Sequence, residues 1–379
     1  MIYLDSAATT KINRSVLDAM MPYLIDEYAN PGSIYPAGVR ARSAINDARQ
    51  KVADFLNCDT DQIVFTSGGS EGNSLIINGV KQYLSIIGKK HIITTEIEHE
   101  SVLRAFTTAA IKDGFVCDFV KPTFSNCIDQ SNIANVINEN TGFISIMMMN
   151  NETGVVNNVK EIAKLCKKHG ILFHSDCVQS AGINEIDVRN IECDFATISS
   201  HKIHGPKGVG AVFIKNKNII TPSIFGSESQ EFGLRGGTEN VAGIVGFGEA
   251  CKIAKENLEL NRKHIAKLRK TFAICISDYL PDVIFNGYDT GEKILSITIP
   301  DVNAQSLILA VGNDVQISAG SACNSYSDKP SHVLMAIGLN KDEASRTIRV
   351  SFSETNTLDE VIEAAKIIYN TVLKLRVLH

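Results

Sequence analysis

The chain has 379 residues, a formal net charge of -5 and a hydrophobic fraction of 44%. Its length favours two or three hydrophobic cores over a single small module, and its composition is typical of a soluble globular protein. A mildly acidic chain lacks the basic surface that binds a phosphate backbone, and no apolar run reaches the roughly 18 residues of a membrane span. Direct binding to nucleic acid and insertion into a membrane are therefore not expected.

The chain contains 9 cysteines at irregular spacings, without a Cys-x-x-Cys pair. An odd number in this arrangement excludes a disulfide framework and offers no structural zinc site. The N-terminus, residues 1–10, has no basic region followed by an apolar core, so it is not a secretory signal. We therefore expect a cytoplasmic protein with reduced thiols, in which most cysteines are small buried apolar residues.

Apolar segments rich in Ile, Val and Phe alternate with helical patterns through the middle of the chain, which predicts a mainly parallel sheet with crossover helices. The predicted strands are 91–95, 143–149, 172–174, 195–198 and 209–214. The predicted helices are 160–169, which Gly170 ends, a charged and exposed helix over 256–272, and 358 to about 375, which a capping box at 357–360 opens.

Residues 66–73, Thr-Ser-Gly-Gly-Ser-Glu-Gly-Asn, follow an apolar stretch and precede a helical pattern. Backbone N–H groups at the start of a helix form a cradle for phosphate or carboxylate. The segment is neither Gly-x-Gly-x-x-Gly nor a P-loop, which disfavours a dinucleotide or nucleoside triphosphate ligand. Taken alone, the motif is better explained as a tight turn with serine as the helix N-cap than as a cradle.

A second motif, Ser199 to Gly208, follows another predicted strand and runs into a Gly-Pro turn. Lys202, with hydroxyl and imidazole neighbours, suits a Schiff base to an aldehyde cofactor, although a solvated lysine in a basic loop is the alternative. His201 and His204 have the spacing of metal ligands. Because no nearby carboxylate or thiol completes the set, a metal site is not expected.

Asp176 lies just past a further predicted strand. Pyridoxal phosphate chemistry needs a carboxylate on the pyridinium nitrogen, whereas an isolated aspartate at a strand end is as often a helix N-cap. The combination is more informative than each motif alone: a phosphate cradle, an aspartate and a lysine follow one another along the chain. Since ligands of open α/β sheets bind at the carboxyl ends of the strands, these residues are predicted to converge on one site.

The sequence closely resembles the cysteine desulfurases of the NifS/IscS type, within the class V, fold-type I pyridoxal phosphate enzymes. The resemblance extends over nearly the whole chain, and its most specific segments are 98–102, 150–155, 201–208 and 321–323. It implies a fold-type I α/β transferase with a mainly parallel seven-stranded sheet in a large domain, residues 15–259. A smaller α+β domain would comprise residues 1–14 and 260–379.

The resemblance implies a pyridoxal 5'-phosphate site and a role for each residue in it. Lys202 would form the Schiff base, Asp176 would pair with the pyridine nitrogen, and Gln179 would contact the phenolic oxygen. His99 would stack on the ring and take part in proton transfer. The phosphate would be held by Gly69, Ser70, Ser199, His201 and, from the other subunit of a homodimer, Thr238.

The resemblance also implies a substrate site for L-cysteine. Asn30, Asn151 and Arg349 would bind the substrate, with the guanidinium of Arg349 gripping its carboxylate; a surface ion pair is the alternative for Arg349. Cys323 lies in a segment of small and polar residues that predicts an exposed mobile loop, an unusual place for a cysteine. It would be the nucleophile that receives the sulfur as a persulfide. No resident metal is implied, and Cys323 would at most ligate an iron–sulfur cluster transiently.

The implied function is a homodimeric cysteine desulfurase that converts L-cysteine to L-alanine. It would pass the sulfur to an acceptor protein, for iron–sulfur cluster assembly or for nucleic-acid thiolation. Two alternatives remain: a selenocysteine lyase or other class V lyase or aminotransferase, and a non-catalytic sulfur-relay or regulatory subunit that has kept the fold. One departure from the family concerns residues 226–231, Gly-Ser-Glu-Ser-Gln-Glu, where the family has Gly-Gly-Gly-Gln-Glu.

Overall fold

The structure, a computed structural model, describes residues 1–123, 126–287, 291–320 and 330–377. The helices are α1 (Arg14–Ile25), α2 (Pro36–Leu56), α3 (Gly69–Ile86), α4 (Glu100–Lys112), α5 (Gln130–Ala134), α6 (Val159–His169), α7 (Val188–Ile191), α8 (Val241–Glu256), α9 (Leu258–Tyr279), α10 (Ala304–Val311), α11 (His332–Ala336), α12 (Lys341–Ser345) and α13 (Leu358–Val377). The strands are β1 (Ile2–Tyr3), β2 (Ile63–Thr66), β3 (His91–Thr95), β4 (Val116–Val120), β5 (Thr141–Ser145), β6 (Leu172–Asp176), β7 (Phe195–Ser199), β8 (Gly210–Ile214), β9 (Ile284–Asn286), β10 (Ile294–Thr298), β11 (Val315–Gln316) and β12 (Thr347–Ser351).

Strands β2 to β8 form a seven-stranded sheet in the order β2-β8-β7-β6-β5-β3-β4. Only β8 runs antiparallel to its neighbours in this sheet, and the remaining pairs are parallel. Strands β2, β3, β5, β7 and β8 are buried along their whole length, as expected for a sheet that helices cover on both faces. The predicted mainly parallel sheet is therefore confirmed.

The predicted strands match β3, β6, β7 and β8 closely, whereas the prediction for 143–149 ran too far. Strand β5 ends at Ser145. Beyond it, the backbone N–H groups of Ile146 and Met148 still donate to the carbonyls of His174 and Asp176 at 3.1 and 2.9 Å. The apolar run therefore continues alongside β6 and leads the chain towards the carboxyl edge of the sheet.

Two of the three predicted helices are confirmed. Helix α6 ends at Gly170, which caps it with a φ of 65°, a left-handed conformation that favours glycine. Before α13, Thr357 Oγ1 accepts from the Glu360 N–H at 3.2 Å while the Glu360 carboxylate accepts from the Thr357 N–H at 2.9 Å, so the capping box forms.

The helix predicted over 256–272 differs from the structure. The helix is interrupted at Asn257, which is both the C-cap of α8 and the N-cap of α9. Helix α9 then continues to Tyr279 and buries Ile265, Leu268, Phe272 and Ile276, so it is exposed on one face only. The many charges of this segment concealed an apolar stripe at three- and four-residue spacing.

A second core lies outside the large sheet. It contains an antiparallel sheet in the order β12-β10-β9, the parallel pair β1-β11, and the packed helices α9 and α13. Its buried side chains come from both chain ends, with Leu4 and Ala7 packed among residues 265–372. This core is the α+β unit that was expected, although the proposed division at 14/15 and 259/260 stays a prediction. In the described parts of the chain, no helix is both long and apolar enough to span a membrane.

Candidate active site

A cavity of about 200 Å³ lies at the carboxyl edge of the large sheet. Its walls come from the segments that follow β2, β3, β5, β6 and β7, and from the first residues of the chain. The lining residues are Ala7, Ala8, Gly69, Ser70, Asn73, His99, Met147, Asn151, Asp176, Val178, Gln179, Ser199, His201, Lys202 and Arg349. The structure thus brings together most of the residues that the sequence singled out, as expected at the carboxyl ends of parallel strands.

The predicted phosphate cradle lies at the start of α3. A side chain at Gly69 would place its Cβ 2.8 Å from Val178 Cγ2, so only glycine permits this close approach. The N–H groups of the first helical turn have no acceptor within their own helix. Nearby, the buried Ser199 hydroxyl has no hydrogen-bond partner among the described residues. Backbone donors and an unsatisfied hydroxyl at a helix N-terminus fit a bound phosphate.

Asp176 is held in place at the end of β6. Its carboxylate accepts from Asn73 Nδ2 at 2.7 Å and from the Val178 N–H at 3.0 Å. Behind it, burial lowers the pKa of His174 to about 3, so this imidazole is a neutral part of the core. Among the described residues, Asp176 is the one carboxylate that lines the cavity, and two donors orient it, as a partner for a ring nitrogen must be.

Lys202 reaches the first residues of the chain. Its Nζ donates to the Ala7 and Ala8 carbonyls at 2.5 and 2.8 Å, and Gln179 Nε2 donates to the same Ala7 carbonyl at 2.9 Å. The Gln179 Oε1 atom is buried without a partner among the described residues. Sequence reasoning assigned no role to Ala7 and Ala8, because they contribute backbone carbonyls and their side chains carry no chemical signal.

His99 caps α4 and faces the cavity. Its Nδ1 accepts from the Ser101 N–H at 3.1 Å, which places the proton of the neutral ring on Nε2. Burial lowers the pKa of His99; Asp176 opposes this shift and Lys202 adds to it. Asn73 Nδ2 donates both to Ser101 Oγ at 3.0 Å and to Asp176, and so joins the histidine to the carboxylate. Asn73 was not predicted to be a site residue, although it is the last residue of the predicted cradle motif, 66–73.

Arg349 is 2% exposed, which excludes the surface ion pair considered as its alternative role. Its Nη2 pairs with Asp5 Oδ1 at 2.8 Å and its Nη1 donates to the Asn151 carbonyl at 2.8 Å. The Nε of Arg349 and the Oδ1 of Asn151 are buried and have no partner among the described residues. An unsatisfied guanidinium N–H beside a cavity suits the carboxylate of a bound substrate.

Two predicted site residues lie away from the cavity. Asn30 is exposed, and its Oδ1 accepts from the Gly32 N–H of its own turn at 2.8 Å. Thr238 is also exposed, and neither residue lines the cavity of this chain. Their proposed contacts remain predictions, and that of Thr238 requires a second subunit. Cys323 lies outside the described residues.

Residues 226–231, which depart from the family pattern, are held in place by an ion pair and by hydrogen bonds. The buried Glu231 carboxylate pairs with Arg49 at 2.6 Å and accepts from the Phe65 N–H at 2.6 Å. Gln230 Oε1 accepts from the Ser227 and Gly237 N–H groups at 3.1 and 3.0 Å and closes the loop on itself. Fewer glycines therefore leave a defined loop that presents Thr238 at the surface.

None of the eight described cysteines lines the cavity. Five of the eight are buried, in line with the expectation that most are, and burial raises the pKa of Cys166 and Cys177 to about 12. Such thiols stay protonated at neutral pH and are poor nucleophiles. Within the described residues, no group of three or more His, Cys, Asp or Glu side chains is arranged to hold a metal ion.

Comparison with known proteins identifies the family of the chain. The family model "Aminotransferase class-V" matches residues 2–363. Cysteine desulfurase IscS of Rickettsia rickettsii is 39% identical, over 100% of this chain and 92% of that protein. A solved NifS-like protein superposes with a TM-score of 0.91 at 32% identity over 98% and 99% of the two chains. The solved structure described as SspA in complex with cysteine gives a TM-score of 0.82 at 35% identity over 94% and 100%.

These matches extend over almost the whole chain and exceed the identity at which a shared fold is assured, so the predicted fold-type I architecture is confirmed. The segments that contribute Asp176, Lys202 and Arg349 to the cavity all lie within the matched region. The chain therefore belongs to the class-V aminotransferase family, in its group of NifS- and IscS-type proteins.

Proposed function

We propose that this protein is a cysteine desulfurase that uses pyridoxal 5'-phosphate to convert L-cysteine to L-alanine and carries the sulfur away on Cys323. The observation that supports this most strongly is the convergence of Lys202, Asp176, His99 and Arg349 on one cavity. The relative from Rickettsia rickettsii is named for this activity, and the solved SspA structure contains cysteine.

The residues around the cavity fit the cofactor. Buried polar atoms without partners are rare because each costs about 1–3 kcal/mol, and several of them line this cavity. The start of α3 with Ser199 and His201 would hold the phosphate, Asp176 the ring nitrogen and Gln179 the phenolic oxygen. When bound, the cofactor supplies an electron sink that stabilises negative charge at the substrate Cα.

The remaining chemistry is the work of this chain's own residues. Arg349 binds the substrate carboxylate through its free Nε, while Asp5 and the Asn151 carbonyl hold the guanidinium in position. Lys202 Nζ removes the proton from the substrate Cα as general base. His99 also lines the cavity and presents a fixed Nε2–H for proton transfer, because its Nδ1 accepts from the Ser101 N–H.

Sulfur transfer is the step assigned to Cys323. Its thiolate forms a bond to the substrate sulfur as the substrate Cβ–S bond breaks, and the electron pair of that bond remains with the carbon. Protonation of the carbon gives L-alanine, and Cys323 holds the sulfur as a persulfide. An acceptor protein, either an iron–sulfur scaffold or a thiolation protein, then takes it in a reducing cytoplasm.

The deciding experiment is a single turnover with isotope-labelled L-cysteine, followed by mass spectrometry. We expect one labelled alanine per active site and a mass increase of one sulfur on the peptide that contains Cys323. The Cys323→Ser variant is expected to bind cofactor normally but to form no persulfide.

Comparison of L-cysteine, L-selenocysteine and cysteine sulfinate distinguishes the competing functions. A lyase or aminotransferase would process a substrate equally well with Ser at position 323. A chain that binds no cofactor and forms no alanine would be a relay or regulatory subunit, and the proposal would be wrong.

The enzyme is proposed to act as a homodimer. The loop that presents Thr238 also carries Phe225, whose side chain is 80% exposed, and the backbone of Gly236 packs against Phe225 and Gly226. A large exposed aromatic side chain beside a residue that would reach the partner's cofactor supports an interface at this loop.

Phe225→Glu is expected to shift the sedimentation profile from dimer to monomer and to weaken cofactor binding, because Thr238 then lacks its partner subunit. Leu309→Glu is the matched control, since Leu309 is 82% exposed on α10, which packs on α13 and β11 of the second core. A Phe225→Glu variant that remains dimeric at micromolar concentration would exclude this surface as the interface.

A further inference from the structure

A second lysine lies against Lys202 on the side away from the cofactor cavity. Lys293, the residue before β10, is 3% exposed, and its Nζ donates to the backbone carbonyl of Lys202 at 3.4 Å. The Lys293 carbonyl in turn accepts from the Phe352 N–H at 2.9 Å. Lys293 therefore joins the sheet of the second core to the residue that is proposed to carry the cofactor.

A small separate cavity of about 30 Å³ lies at this junction. Lys202, His204, Lys293 and Glu354 all contribute to its walls, and Lys202 alone among these four also lines the larger cavity. A space of this size holds about one or two water molecules. The charged groups in its walls therefore lie close to one another and to Lys202.

The other charged groups that face Lys293 are already paired. Glu354 Oε1 lies 3.1 Å from His204 Nε2, and Arg349 pairs with Asp5. His204 Nδ1 faces the Lys11 carbonyl at 2.8 Å, so both of its ring nitrogens point at acceptors. Among the described residues, no carboxylate forms an ion pair with Lys293.

A buried amine without an ion pair is costly to the fold. Burial lowers the pKa of Lys293 to about 8, with Glu354 opposing the shift and Arg349 adding to it. Lys293 also lowers the pKa of His201, where it adds to the larger effects of burial, Lys202 and Lys207. Such perturbed groups cluster at functional sites, and this one touches the main chain of Lys202.

We propose that Lys293 is a positioning residue for Lys202, holding its carbonyl while its positive charge lowers the proton affinity of the Lys202 side chain. A neighbouring cation in a desolvated region disfavours the protonated form of an amine or imine and so keeps the lysine available as a base. This inference rests on the proposed function, since it assumes that Lys202 carries the cofactor.

The test is a pH titration of the absorbance of the cofactor–lysine imine in Lys293→Met. Removal of the neighbouring positive charge favours the protonated imine, so the titration midpoint is expected to rise by about one pH unit. The acid limb of the pH profile of kcat/KM is expected to move in the same direction. Lys293→Arg, which keeps the charge, is expected to restore the wild-type midpoint.

Lys252→Met is the matched control. Lys252 is 49% exposed and paired with Glu249, so the loss of its screened charge is expected to leave the midpoint unchanged. A wild-type protein that forms no imine with the cofactor would overturn the proposed function itself. A wild-type imine whose midpoint coincides with that of Lys293→Met would overturn only the role of Lys293.

Folding of the variants is checked by thermal unfolding. If Lys293→Met does not fold, Lys293→Gln, which keeps a donor for the Lys202 carbonyl without the charge, is titrated in the same way and is expected to show the same rise. If neither neutral variant folds, Lys293 is a packing residue and the proposal is wrong.

Discussion

Lys202→Ala is expected to abolish covalent attachment of pyridoxal phosphate and to lower kcat for L-cysteine by about 10⁴-fold or more. One amine is proposed to serve both as the site of attachment and as the base at the substrate Cα, so no second group replaces it. Attachment is measured by borohydride reduction and mass spectrometry, which detects the phosphopyridoxyl group on the peptide that contains residue 202.

Lys207→Ala is the control for this experiment. Lys207 lies in the same Gly-Pro turn, is exposed and carries the same charge. If the loop were only a basic surface loop without a cofactor, substitution of Lys202 and of Lys207 would have the same effect. The Lys207 variant is expected to retain the attached cofactor and most of the activity. Persistence of the imine absorbance in Lys202→Ala would remove Lys202 from the site.

Asp176→Asn is expected to lower kcat/KM by about 10³-fold, with a loss of thermal stability too small to account for it, as measured by steady-state kinetics and calorimetry. The amide removes the negative charge proposed to stabilise the protonated ring nitrogen. It also places an NH₂ group against one of the two donors, Asn73 Nδ2 and the Val178 N–H, that now orient the carboxylate. The site then loses both its charge and its geometry.

Asp194→Asn is the matched control, because Asp194 directly precedes β7, at the end of the strand opposite to the cavity. Burial raises the pKa of Asp194, and its carboxylate accepts from the Phe173 N–H at 2.9 Å, far along β6 from the cavity. Its activity is expected to stay within about threefold of wild type, as for a substitution outside the site. Equal losses in the two variants would indicate that Asp176 acts through stability rather than through the cofactor.

Four strands of the large sheet, β3, β6, β7 and β8, could be predicted closely, whereas the buried strands β2, β10 and β12 were not predicted. Strands β3, β7 and β8 are rich in Ile, Val, Phe and Thr, which favour strands, and Asp176, the last residue of β6, is conspicuous as a charged residue at the end of a strand. Strand β4 lies at one edge of the sheet and was not predicted, because it is only partly buried and Asp118 interrupts its apolar residues.

Contacts between distant parts of the chain could not be predicted. Lys202 donates to carbonyls 194 and 195 residues away, and Arg349 pairs with Asp5 across 344 residues. Backbone acceptors leave no trace in residue identity, and a buried arginine has the same sequence pattern as an exposed one. The same is true of Lys293, because nothing in the sequence around it indicates that its Nζ contacts the Lys202 carbonyl in the folded chain.

The sequence by itself determined the α/β class, the order of the phosphate cradle, Asp176 and Lys202, and the family to which they belong. These features depend on local apolar periodicity and on polar residues at strand ends, which neighbouring residues specify. Only the tertiary structure decided that Arg349 is buried against Asp5, that Asn73 links His99 to Asp176, and that Lys293 contacts Lys202. Those contacts arise when parallel strands and the two chain ends pack together, and no local pattern encodes which distant groups then meet.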